Sequence, residues 1–210
     1  MPAASGELED AIASLKAGGV VAYPTEALYA LAVDIRNPSA VDALRALKAR
    51  EAHKPLALLV ADPAQIHSVV SDVPPAAARL MAQFWPGPLT LIFNARPGLP
   101  SGVTAETGTV AVRCSSHPVA QALSAGVGGA ITATGCNRAG GRAARSAAEV
   151  DPELRGSLAC VLDGGPAPSG TPCTVVDARL DTPSIVRVGA ISAEDIQRVI
   201  DEPRAEPKWC

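Results

Sequence analysis

The stretch VVAYPTEALYALAVD, residues 20–34, decides how this chain is read. Val20, Val21 and Ala22 begin as a buried strand does. Tyr23, Pro24, Thr25 and Glu26 then put a ring, a rigid turn, a hydroxyl and a carboxylate at the strand's end, and an apolar run resumes at Ala27. Burying polar groups without partners costs free energy. A polar break between two apolar segments is therefore either a plain turn or the lip of a binding site.

The rest of the chain alternates helical and strand patterns around that stretch. Leu8, Ile12 and Leu15 fall on one helical face, and Gly18-Gly19 ends it. Asn37-Pro38 reads as an N-cap with proline at the first helical position, opening a helix to about Arg50. PLALLVA, residues 55–61, is a continuous apolar run, as expected of a strand buried on both faces. Short helices follow Asp62-Pro63 and Pro74-Pro75. Strands are predicted over 89–93, 109–114, 130–134, 160–163, 174–177 and 185–188, with a helix over 117–125 and a closing helix capped by Ser192. Mixed strands and helices without a repeat or long linker predict a single α/β domain over residues 1–200, with a twisted mixed sheet and flanking helices. Residues 201–210 read as a flexible C-terminal tail. The stretches 96–108 and 138–146 are the candidates for mobile segments.

Composition narrows the function. At 210 residues and 48% hydrophobic, the chain has ample material for a core, but aromatics are only 3%. A protein that grips single strands by base stacking shows more rings. Net charge is −3, yet residues 45–54 and 138–145 are basic stretches on an otherwise acidic body. That pattern is either a focused anion site or two solvated basic faces. The five cysteines, Cys114, Cys136, Cys160, Cys173 and Cys210, include no CxxC pair. No signal core and no apolar run of membrane length is present. These features predict a soluble, reduced, cytoplasmic protein without membrane partners.

Familiar catalytic motifs are missing: there is no P-loop, GxGxxG, HExxH or GxSxG. His53, His67 and His117 are scattered and make no metal set, so no protein-ligated metal is expected. What remains is a set of anion-binding candidates. Lys48, Arg50 and Lys54 cluster where a helix gives way to a buried strand, where they either converge on a polyphosphate or complement a helix C-terminus. Arg113 ends the strand VAVRC, and a cation in so apolar a setting needs a buried carboxylate or a ligand carboxylate. Asn137 follows a strand in TGCNRAGG, a glycine-rich turn through which backbone N–H groups reach a ligand.

Seven segments, in order, resemble the YrdC-type L-threonylcarbamoyladenylate synthase family. AYPTEALYALAVD resembles its YPTET-x-YGLG signature, and LKAREAHKPLALLV its K-x-R…K-P-L segment. FWPGPLTLIF matches WPGPLT, and TVAVRCSSHPVAQAL resembles VAVR…HP. VLDGG, CTVVDA and IVRVGAIS resemble its DGG, STVVD and LRPGAIS. The matches span residues of about 8–200.

The resemblance implies a single YrdC-like α/β domain around a basic cavity, and an enzyme that makes threonylcarbamoyl-AMP and pyrophosphate from ATP, L-threonine and bicarbonate. The product feeds t6A modification of tRNA through downstream transferase proteins, and related domains bind tRNA or double-stranded RNA. Carried over by motif, Lys48 and Arg50 are catalytic. Lys48, Arg50, Lys54, Asn137 and Arg187 hold ATP with Mg2+. Thr25, Tyr29, Arg113 and Thr134 surround threonine.

The departures are specific. The family's S-x-S-A-N is here Ala133-Thr134-Gly135-Cys136-Asn137, so both serines are lost. The serine of STVVD is Cys173, two glycines of YGLG are Ala30 and Ala32, and the proline after K-x-R is Glu51. A lost hydroxyl hydrogen bond costs about 0.5–1.5 kcal/mol, so two or three losses weaken ATP binding unless Gly135 compensates by closer backbone approach; Cys173 and Gly135 are further candidate site residues. The alternative readings are a non-catalytic module that grips RNA or a nucleotide, aided by Arg138, Arg142 and Arg145, and carbamoyl transfer to another acceptor.

Overall fold

The computed structural model describes residues 5–48, 55–104, 107–137 and 141–201. The deciding stretch folds as a hairpin: β1 (Val21–Tyr23) pairs antiparallel with β2 (Ala30–Ala32), Ala22 lying opposite Leu31. β1 is buried on both faces. Val21 and Tyr23 enter one apolar cluster and Ala22 the other, the alternation a period of two demands.

Two mixed sheets result. The four-stranded sheet runs β7 (Thr134–Gly135), β2, β1, β8 (Cys160–Val161). The six-stranded sheet runs β10 (Ser184–Arg187), β9 (Thr174–Asp177), β4 (Leu89–Asn94), β5 (Thr109–Cys114), β3 (Ala57–Val60), β6 (Ile131–Thr132). β1 with β8, β4 with β9, and β3 with β5 are parallel; the other pairs are antiparallel.

The mixed α/β class holds, but the strand read as one over 130–134 is divided between the sheets, and the described residues form two sheets rather than one. Thr132 joins them. Its hydroxyl accepts the Val33 N–H and donates to the Leu31 carbonyl, both at 3.0 Å, while its own carbonyl accepts the Tyr23 hydroxyl at 3.0 Å. β2 is not among the predicted strands. Ala-Leu-Ala has weak strand propensity, and pairing with β1 on one side and β7 on the other makes it a strand.

Helices close both faces. α1 (Ser5–Lys16) and α5 (Pro118–Val127) cover one cluster, in which Ala11, Leu15, Leu123 and Val127 meet Leu59 and Ile131. α2 (Pro38–Leu47), α3 (Pro75–Phe84) and α7 (Ala193–Asp201) cover the larger cluster through Val41, Leu44, Leu80, Ile196 and Val199. The caps read from sequence form: the Asn37 side chain accepts from Ala40 N–H, and the Ser192 hydroxyl accepts from Asp195 N–H. The 96–108 stretch carries a short helix, α4 (Ser101–Thr104). It is anchored by fully buried Val103, whose carbonyl accepts the Leu56 N–H at 3.2 Å. α6 (Pro152–Arg155) completes the set. Among the described residues, no helix is long and apolar enough to cross a membrane.

Candidate active site

A cavity of about 490 Å3 lies against one face of the six-stranded sheet. Alternation builds it. On β5, Val110, Val112 and Cys114 enter the core while Ala111 and Arg113 line the cavity. Ala57, Thr90 and Val175 do the same from β3, β4 and β9. Ala30, Thr134 and Gly135 line it from the four-stranded sheet, and Thr25, Ala27, Leu28 and Tyr29 form its lip.

Arg113 is the buried charge of the site, 5% exposed. Its Nη1 donates to Glu26 Oε1 at 3.1 Å and to Cys173 Sγ at 2.9 Å. The Ser115 hydroxyl donates to the other Glu26 oxygen. Burial disfavours a charged guanidinium, but the Cys173 sulfur and Glu26 outweigh it and hold Arg113 above its ordinary range. Among the described residues, no buried side-chain nitrogen or oxygen lacks a partner, and the Nε and Nη2 of Arg113 meet no acceptor there. That edge of the guanidinium is therefore not sealed in protein and opens to the cavity, a planar fork suited to a carboxylate. The hydroxyls of Thr90 and Thr134 stand the same way: the residues are 8% and 7% exposed, and neither hydroxyl has a protein partner among the described residues.

Other predicted residues are near but otherwise engaged. Thr25 lines the cavity, but its hydroxyl closes the lip as a turn, donating to Leu28 O at 2.6 Å and accepting from Ala27 and Leu28 N–H. The Tyr29 hydroxyl donates to Gly165 O at 2.8 Å and accepts from Gly164 N–H at 3.1 Å, tying the cavity wall to the Asp163-Gly164-Gly165 loop. Lys48, at the C-cap of α2, sends its ammonium to the carbonyls of Gly135 (2.7 Å) and Asn137. Asn137 lines the cavity, and its amide donates to Gly141 O at 2.8 Å. Gly135 and Ala133 line it as well; a Cβ at Gly135 would come 2.6 Å from Asn137 Oδ1. Arg187 lines the rim and donates to Cys173 O at 2.9 Å. Arg50, Lys54 and Arg138 lie outside the described residues.

Glu26, Ser115 and Thr90 are missed by the sequence reading. The need of Arg113 for a carboxylate is the signal for Glu26; Thr90, in the middle of an apolar strand, is the signal for an inward hydroxyl.

A cavity in a mixed α/β body, with a buried guanidinium presenting one open edge and a second guanidinium at the rim, has the chemistry that suits anionic small molecules. The Sua5/YciO/YrdC family, described as "Telomere recombination", matches residues 13–189. The chain is 37% identical over 195 residues to a threonylcarbamoyl-AMP synthase of Bacillus subtilis, covering 92% of this chain and 56% of that one. It is 43% identical over 169 residues to a threonylcarbamoyl-AMP synthase of Alkalilimnicola ehrlichii, covering 79% and 88%. The crystal structure of Pyrococcus abyssi Sua5 complexed with L-threonine superposes with a TM-score of 0.90 at 32% identity, over 94% of this chain and 58% of that one. The chain belongs to the Sua5/YciO/YrdC family. It spans little more than half the length of the Bacillus and Pyrococcus relatives and most of the Alkalilimnicola one.

Proposed function

We propose that this protein is a threonylcarbamoyl-AMP synthase, joining L-threonine, bicarbonate and ATP and releasing pyrophosphate. The observation that carries the reading is the open edge of Arg113 at the end of the cavity, a bidentate site for an amino-acid carboxylate. The names of the relatives and the threonine complex of the Pyrococcus protein support it.

In this reading the threonine carboxylate lies on Arg113, with Thr90 and Thr134 within the same pocket and Tyr29 in the wall. Thr25 acts through the turn it closes. The threonine amine attacks CO2 and releases a proton, or attacks bicarbonate and expels hydroxide, which leaves as water with the amine proton; the resulting carbamate oxygen attacks the α-phosphorus of ATP, and pyrophosphate leaves. Such a transfer depends mainly on positioning and charge neutralisation. The Lys48 ammonium meets the neutral carbonyls of two cavity-lining residues, Gly135 and Asn137, and an anionic phosphate is a stronger acceptor for it than either. Arg50, Lys54, Asn137 and Arg187 complete the ATP site, and Mg2+ enters with the triphosphate. Thr134 supplies a hydroxyl from the strand that lacks the two serines. We place residues 1–200 in one domain, the reaction in the cytoplasm, and the product with the transferase proteins that complete t6A on tRNA.

The test is pyrophosphate release from ATP with Mg2+ and bicarbonate, with and without L-threonine, for the wild type and Lys48→Ala. Threonine-dependent release that Lys48→Ala abolishes is the expected result. A folded wild type that releases no pyrophosphate on threonine addition at millimolar ATP would overturn the reading.

A further inference from the structure

Cys173 stands where Arg113 meets the cavity. Its sulfur is 2.9 Å from Arg113 Nη1, its carbonyl accepts from Arg187, and it lines the cavity while 9% exposed. The other described cysteines are set differently. Cys114 and Cys136 are fully buried, and burial pushes their thiols up to about 11 and about 12. Burial also raises the thiol of the partly exposed Cys160. Cys173 is the described cysteine that lines the cavity, so its sulfur is the one a small molecule entering there meets.

An independent observation makes this a ligand site rather than a single reactive side chain. The open edge of Arg113 and the hydroxyls of Thr90 and Thr134 belong to residues more than nine-tenths buried, line the same cavity, and lack protein partners among the described residues. A small polar molecule that enters to meet them is brought to Cys173.

We propose that Cys173 is a peroxide-sensitive modification site whose oxidation closes the carboxylate end of the cavity. The inference rests on the reading of that end as the amino-acid site. The sulfur attacks one oxygen of hydrogen peroxide; an S–O bond forms and the O–O bond breaks. Sulfur is oxidised to the sulfenic acid, the peroxide is reduced, and the departing hydroxide leaves as water with the proton the thiol gave up. The added oxygen stands beside Arg113 and competes with an incoming carboxylate. Two equivalents of an external thiol reverse the change, yielding a disulfide and water.

The experiment treats the full chain, carrying Cys210→Ser, with sub-stoichiometric hydrogen peroxide and dimedone, and quantifies each cysteine peptide by mass spectrometry. Cys173 should label at least about tenfold faster than Cys114 and Cys136. L-threonine with ATP should slow that labelling several-fold, as occupancy of the site requires. Without dimedone, peroxide should abolish L-threonine binding by calorimetry, and dithiothreitol should restore it. Labelling of Cys173 no faster than that of the buried cysteines overturns the proposal, as does undiminished threonine binding once Cys173 is fully oxidised. Fast labelling of Cys173 in a protein that never binds threonine supports the reactive thiol and overturns the synthase reading instead.

Discussion

Glu26 Oε1 lies 3.1 Å from Arg113 Nη1, with side-chain exposures of 12% and 7%. The pair fixes the guanidinium from one side, so that its other edge faces the cavity. Ser115, donating to the second carboxylate oxygen, fixes Glu26 in turn. The polar break after β1 thus delivers a counter-ion to a cation 87 residues away.

Replacing Glu26 by Gln removes the charge and keeps the shape. Breaking a buried pair from one side leaves an uncompensated charge and costs about 3 kcal/mol. Urea unfolding should show that loss, and the KM for L-threonine should rise more than kcat falls, because Glu26 positions Arg113 without lining the cavity. An unchanged urea midpoint together with an unchanged KM would remove Glu26 from this role.

Arg113→Lys keeps a charge and loses the fork. A lysine ammonium cannot meet Glu26, Cys173 and a ligand carboxylate in one plane, so threonine affinity should fall by at least about tenfold. Isothermal calorimetry measures it directly. Affinity within twofold of wild type would mean that the carboxylate does not lie on this side chain.

Gly189 tests backbone packing behind the site. A Cβ there would come 2.2 Å from Pro172 O and 2.6 Å from Cys173 C, both backbone atoms that cannot swing aside. Gly189→Ala should displace the Pro172–Cys173 segment, loosen the Arg187 contact to Cys173 O, and cost on the order of 1–3 kcal/mol. A variant with wild-type stability and threonine binding would show that this segment is not held by the close approach.

The parts of the fold legible in sequence are those where local pattern and tertiary role agree. The run 55–61 predicts β3, and the Asn37-Pro38 and Ser192 caps predict two helix starts. β2 is illegible because its pairing, not its composition, makes it a strand. For the site, the cost of burying a cation is visible at Arg113, but its partner is not, because Glu26 in Pro-Thr-Glu reads equally well as a turn residue. Thr25 shows the same limit: a hydroxyl at the lip of a cavity and a hydroxyl that closes a turn have the same sequence signature. The placement of Lys48 on two backbone carbonyls depends on the turn after β7, which no local pattern specifies.

Alkaline stability follows from the buried thiols. Burial raises Cys114 from its ordinary value of 9.0 to about 11, and Cys136 from 9.0 to about 12, the latter despite the opposing charge of Lys48. Raised acids stay protonated in the native state while the unfolded chain ionises. Above about pH 9 the unfolded chain therefore binds fewer protons than the folded one, and stability falls as pH rises. Each thiol contributes a slope of about 1.4 kcal/mol per pH unit until its folded value is reached. Tyr23, raised by burial from 10.0, adds to the fall above that pH. Urea midpoints measured in reducing buffer at about pH 8, 9 and 10 should drop steeply across the last interval and little across the first. The double variant Cys114→Ala, Cys136→Ala is less stable at every pH, since it leaves small voids, but its decline above about pH 9 should be much shallower. Equal slopes in wild type and double variant would show that these thiols are not what alkali attacks.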